Sequence, residues 1–156
     1  MHVKQIEKEK EELDKVIKIS RVTKVAKGGK RLAFRVLVIS GDKCGRVGIG
    51  LAKAKEVPAA IRKAIEIAKK NYVDVKIING TVPHQVTGKF CASKVIILPA
   101  QEGTGVIAGG SVRVLLEAAG FKNVTAKCLG SRNSFNAVNA ALLALTNTIV
   151  TPSSRT

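Results

Sequence analysis

Between Arg46 and Tyr72 the apolar pattern changes its period, and one type of element cannot carry both parts. Val47, Ile49 and Leu51 alternate with Gly48 and Gly50, the period of two expected of a strand with one packed face. From Val57 onward the apolar residues Val57, Ile61, Ala64, Ile65, Ala68 and Tyr72 recur at helical spacing, and Arg62, Lys63, Glu66, Lys69 and Lys70 lie off that stripe. Pro58 suits the first turn of such a helix. A strand that leads into an amphipathic helix points to a helix laid on a sheet.

Upstream, the same reading gives two more strands. Val16 to Val25 is rich in β-branched residues, and Lys27-Gly28-Gly29-Lys30 is a turn. Arg31 to Ser40 follows, with Leu32, Phe34, Val36 and Val38 on one face and Arg31 and Arg35 on the other. Gly41 to Gly45 is a second turn, and a short helix anchored by Ile6 and Leu13 is predicted before the first strand. The first half is therefore expected to run helix, three antiparallel strands, helix, an α+β unit.

Asn79-Gly80 and Val82-Pro83 mark a boundary. Beyond it, strands are predicted near Gln85–Phe90 and Ser93–Leu98, followed by a glycine-rich loop. A helix is predicted from about Val112 to Ala119, with Ser111 as N-cap and Gly120 as its stop. A strand near Asn123–Leu129 and a helix over Phe135–Asn147 complete the pattern, the helix carrying Phe135, Val138, Leu142 and Leu145 on one face. The expected division is 1–80, 81–150 and a frayed tail, 151–156. Aromatics are 3% with no Trp, so the core must be aliphatic.

Charge narrows the function. The chain carries a net +16, with +11 in residues 1–84 and +5 in residues 85–156. A compact domain so charged repels itself, and a polyanion relieves the repulsion while releasing counterions. Nucleic acid is the leading partner and an anionic membrane surface the second. No run of about 18 apolar residues is present, so no membrane span is expected. The segment Met1 to Asp14 is too charged for a secretory signal. Cys44, Cys91 and Cys128 are far apart without a CxxC, and His2 and His84 lack ligand spacing. Reduced thiols are preferred to a zinc site.

Three stretches could carry function. The Lys27–Arg31 turn has glycines that admit close backbone approach, flanked by cations fit for phosphates. Its bland reading is a solvated hairpin, which the charge on both flanking strands disfavours. Gly45-Arg46-Val47-Gly48-Ile49-Gly50 lacks dinucleotide-fingerprint spacing and lies within a strand. Its bare positions let another backbone, of protein or nucleic acid, approach the sheet. Glu102 to Ser111 is a glycine loop entering a helix, but Gly110 stands where a P-loop has Lys. It reads as a contact loop or a plain connector. No nucleophile–base–orienter set can be named, so no enzyme and no cofactor is expected. His84 reads as a turn residue or an RNA contact.

In this order, these segments resemble the family of bacterial-type small-subunit ribosomal protein five. The resemblance is carried by Arg21-Val22 with Lys27-Gly28-Gly29, by Gly45-Arg46-Val47-Gly48 with Gly50, Ala52, Lys53 and Ala54, and by Glu56 to Ile61 with Lys63-Ala64. Gly103-Thr104-Gly105-Val106-Ile107-Ala108-Gly109-Gly110, and Gly130-Ser131 with Asn133 and Asn136, complete it. Cys44, Leu51 and Ser134 depart from the pattern.

The resemblance implies a double-stranded-RNA-binding-like first domain. It implies a ribosomal-protein-five domain-two-like α/β second domain, with a left-handed βαβ crossover. It implies small-subunit rRNA as ligand, ribosomal proteins four and eight as neighbours, and a place beside the path by which mRNA enters. The cytoplasmic ribosome is the expected location, or a plastid one. With the charge pattern it nominates Arg21, Lys24, Lys27, Gly28, Gly29, Lys30, Arg31, Arg46, Lys53, Lys55 and Arg132 for rRNA. It nominates Gly103, Thr104, Gly105 and Arg113 for a protein interface that affects decoding accuracy. The alternatives are a free RNA chaperone and a nucleotide-dependent enzyme built on the Gly103–Ser111 loop.

Overall fold

A computed structural model describes residues 12–150 of the chain. The helix expected around Ile6 and the tail 151–156 lie outside the described residues, and Leu13 opens a strand instead of closing a helix. Strands β1 (Leu13–Ala26), β2 (Gly29–Gly41) and β3 (Arg46–Ala54) form the expected antiparallel meander. Helix α1 (Val57–Lys70) follows, and the two-residue β4 (Val73–Asp74) adds an edge that the sequence did not announce.

The period-two reading of β3 holds, but its faces are used differently. Gly48 and Gly50 lie under α1, where a Cβ on either would overlap the carbonyl oxygen of Ala68 or Ala64. The backbone admitted by those bare positions is thus a helix of the same chain. The line α1 buries is Ala60, Ala64 and Ala68, with Ile61, Ile65 and Ile67 partly covered beside it. Small residues win the centre because glycine on the sheet and alanine on the helix bring the two backbones together. Val36, Val38 and Ala52 complete this inner cluster.

The other sheet face is also covered. Ile39 and Val47 are fully buried in a second, larger core with residues of the second half, including Val95, Leu115, Leu116 and Val138. Both faces of β2 are therefore buried from Val36 onward, so strict alternation fails there.

The second half comprises β5 (Val86–Phe90), β6 (Ser93–Pro99), β7 (Val106–Ile107), α2 (Gly110–Ala119), β8 (Val124–Gly130) and α3 (Ser134–Val150). Its sheet runs in the order β5-β6-β8-β7. β7, hidden in the glycine loop, pairs parallel with β8 through α2, which makes a βαβ unit. Ser111 is not the cap of α2. Gly109 holds that position with extended backbone and no side-chain cap bond, and its carbonyl accepts from the Arg113 amide at 2.8 Å. Gly120 ends α2 as expected, with φ +104. The amides of Gly120 and Phe121 bond back to Leu116 and Glu117 in a Schellman arrangement. Asn133 opens α3, its Oδ1 accepting from the Phe135 amide at 3.2 Å.

Helix α2 joins the halves. The buried Asp42 carboxylate accepts from the amides of Cys44 and Arg46, which fixes the β2–β3 turn. That turn presents the Lys43 and Gly45 amides to the carbonyls of Ala118 and Ala119, at 3.0 and 2.9 Å. The last carbonyls of α2, orphaned by helix geometry, are satisfied by the first half.

Candidate nucleic-acid interface

Strand β3 ends opposite Phe34, so the rungs from Val22/Ala33 to Ala26/Gly29 stand alone as a two-stranded arm. Five rungs project roughly 17 Å at the rise of an antiparallel strand. Val25 is 77% exposed and Leu32 52%. The turn at its tip, with Gly28 and Gly29 at positive φ, encloses a shallow hollow of about 240 Å³ lined by Lys27, Lys30 and Arg31.

Register sorts the cations by face. Lys24 stands directly opposite Arg31, and Arg35 directly opposite Lys53. Both rungs lie on the face away from α1, which Lys18 extends beside Leu37. Like charges directly opposed in a sheet are unfavourable, so each rung holds an electrostatic cost that a phosphate removes. Arg21 and Lys30 lie on the α1 side of the arm, opposite Phe34 and Val25. Lys55 is exposed just beyond β3, and Arg132 is exposed in the turn before α3.

Arg46 sits apart. It opens β3, about 23 Å from Lys53 at strand rise, and pairs with Asp74 at 3.1 Å. Its guanidinium also lies over the Tyr72 ring, 5.9 Å from the centroid. The pair is half exposed or more, so it contributes at most about 1 kcal/mol. Lys18 and Arg35 are additions to the nominated set. Stepping by two from Arg31 already put Arg35 on the same face, but the bulge that brings Lys18 there, between Val16 and Lys18, has no local sequence signature.

The glycine loop has fixed geometry. The amides of Gly103 and Gly105 both donate to the Asn123 Oδ1, at 3.2 and 3.1 Å, and Thr104 is exposed between them. Arg113, beyond β7, is exposed and pairs with Glu117 at 3.0 Å one helical turn on. Leu98, Thr125 and Ile107 form one row across β6, β8 and β7, and Leu129 shares that outer face with Lys94. Leu98, Ile107 and Leu129 are exposed. His84 is exposed in a bend. No group of three or more His, Cys, Asp or Glu among the described residues could hold a metal ion, and no described helix is long and apolar enough to cross a membrane.

Comparison with known proteins accounts for both halves. Residues 13–76 match the family model described as ribosomal protein S5, N-terminal domain, and residues 88–151 match ribosomal protein S5, C-terminal domain. A protein of Syntrophobacter fumaroxidans named small ribosomal subunit protein uS5 is 55% identical over 130 residues, 83% of this chain and 78% of the relative. A protein of Thermotoga maritima with the same name is 54% identical over 134 residues, 86% of this chain and 75% of the relative. The arm, the glycine-floored sheet under α1 and the βαβ unit all lie within these matches, and the chain belongs to the ribosomal protein S5 family, whose members are structural components of the ribosome and not enzymes.

Proposed function

We propose that this protein is a structural constituent of the small ribosomal subunit in the cytoplasm, and that it binds small-subunit rRNA through the first half of the chain. The carrying observation is the pair of like-charge rungs, Lys24 with Arg31 and Arg35 with Lys53, on one face of an exposed arm and the sheet at its base. Lys27, Lys30 and the bare backbone of Gly28 and Gly29 extend this surface around the tip, and Arg21, Lys53, Lys55 and Arg132 supply its base. Recognition is by shape and phosphate, since the grooves of A-form RNA hide base edges from side chains. Arg46, tied to Asp74 and Tyr72, contributes an outlying contact.

Residues 1–80 act as the RNA-binding unit and residues 81–150 as the unit that meets neighbouring proteins. The fixed Gly103–Thr104–Gly105 turn and Arg113 form the interface with ribosomal protein four, through which decoding accuracy is affected. Ribosomal protein eight is the second neighbour, and mRNA passes close by as it enters. An exposed apolar row such as Leu98 and Ile107 supports the protein-contact role, because such patches mark interaction surfaces.

The test is a salt titration of binding to small-subunit rRNA. A Lys27→Glu, Lys30→Glu double variant should bind more weakly, and its log-affinity should fall less steeply with log salt, by about one in slope per lost phosphate contact. Equal affinity and equal slope to the parent chain would defeat the assignment.

A further inference from the structure

Beneath the arm, where the sheet face away from α1 meets the start of α3, lies a groove of about 330 Å³. Half of its lining is apolar: Val22 and Leu37 from the hairpin, Leu51 from β3 and Phe135 from α3. Ser20 and Asn133 offer polar atoms, and Lys18 and Arg35 also line it. No acidic residue lines it. The Phe135 ring is held edge-on by Phe90, with centroids 6.1 Å apart and planes at 86°, so this wall is preformed. The volume is at the small end for a ligand site.

We infer that this groove takes a single unpaired RNA nucleotide, its base against Leu37, Leu51 and Phe135 and its phosphate on Arg35 and Lys18. Three observations converge on that occupant. A lining half apolar and half polar suits the face and edge of a base, and bases stack on aromatic side chains when single strands are bound. Lys18 is exposed and Arg35 partly exposed, so a phosphate on them would remain partly hydrated. The groove also continues the cationic face: Arg35 lines it and belongs to the Arg35–Lys53 rung, four residues along β2 from Arg31 and on the same face. A strand laid along the arm would therefore reach the groove without leaving positive charge. The inference rests on the RNA-binding reading and adds to it a site for an unstacked nucleotide, distinct from the shape-reading surface of the arm.

The experiment uses the full chain with labelled methyl groups and follows Leu32 on the arm and Leu37 and Leu51 in the groove by NMR. The probes are a single-stranded RNA hexamer, an RNA duplex, uridine monophosphate, adenosine monophosphate and inorganic phosphate. The hexamer should shift the Leu37 and Leu51 signals, and the duplex should shift Leu32 without them. Either monophosphate should shift the groove methyls where inorganic phosphate does not. Arg35→Gln and Lys18→Gln, at a partly exposed and an exposed position, should each weaken hexamer binding about tenfold and leave the free-protein spectrum folded. Groove methyls unmoved by the hexamer while Leu32 shifts would overturn the groove and leave the RNA reading standing. Equal shifts from inorganic phosphate and the monophosphates would reduce the groove to an anion site and also overturn it. No shift at either place with any RNA would sink the RNA reading itself.

Discussion

The Lys43 amide donates to the Ala118 carbonyl at 3.0 Å, so a turn in the first half caps a helix in the second. Gly120 lies against the same turn at φ +104, and a Cβ there would overlap the Lys43 carbonyl oxygen. Gly120→Ala should therefore lose at least about 2 kcal/mol, from left-handed backbone strain of roughly 1–2 kcal/mol plus the displaced turn. The urea midpoint should fall with an unchanged m-value. The chain has a single Tyr, Tyr72, and it lies in the first half, so its fluorescence reports that half while far-UV dichroism reports both. The two probes should trace one transition in the parent chain. Tyr72 fluorescence that outlasts the dichroism transition would contradict the coupling.

Removing charge from the arm should change stability and binding in opposite directions. Lys24→Gln relieves the repulsion with Arg31 and should stabilise the free protein by about 0.2–1 kcal/mol at low salt, a gain that shrinks as salt screens the pair. The same change should weaken rRNA binding and lower its salt slope by about one. Thermal melts at two salt concentrations and a filter-binding titration check both signs.

The end of the first sheet is held by a polar chain. The fully buried Ser40 hydroxyl donates to Asp14 at 2.5 Å and lies 2.7 Å from the Tyr72 hydroxyl. With the Ser40 hydrogen directed at Asp14, Tyr72 is the donor to Ser40. Tyr72→Phe deletes that donor but keeps the ring beneath Arg46, so the loss should be about 0.5–1.5 kcal/mol. A melting temperature unchanged by the substitution would show that the hydroxyl pair carries no net stability.

The three thiols should react in a defined order. Cys44 and Cys91 are exposed, whereas Cys128 is half-buried on β8. Burial pushes the Cys128 thiol above its ordinary range, against a smaller opposing pull from Lys127. The thiolate is the reactive form. At pH 8, iodoacetamide should label Cys128 last, and its rate should keep rising with pH through the upper alkaline range. Mass spectrometry of timed samples reads the order.

The strands and helices were legible where one period dominated. Arg31 to Ser40 and Val57 to Tyr72 announce their type, and Gly120 announces a helix end. Local pattern could not show what comes from distant parts of the chain. Ile39 and Val47 look like half of an alternating strand, yet they are buried in a core closed by α2, which lies far along the sequence. The buried line Ala60, Ala64 and Ala68 is less hydrophobic than the isoleucines beside it, and only the glycines of β3 explain why it wins. β4 and β7 are two residues each, too short for any period. In the site, the Lys27–Arg31 turn and its flanking cations were readable from composition and turn chemistry, whereas the projection of the hairpin past β3 was not. The opposition of Lys24 to Arg31 and of Arg35 to Lys53 needed the register, and the groove needed Phe135 brought back against β2 and β3.

The placement of α2 between the two sheets has a consequence for biosynthesis. Ile39 and Val47 leave the translating ribosome well before Leu115 and Leu116 of α2, the helix packed on their strands. During that interval the nascent meander can gain α1 on one side but presents bare aliphatic surface on the other, next to an arm dense in lysine and arginine. The newborn chain is thus most prone to wrong association midway through its own synthesis. That hazard ends when the segment through Gly120 emerges and docks on the waiting turn.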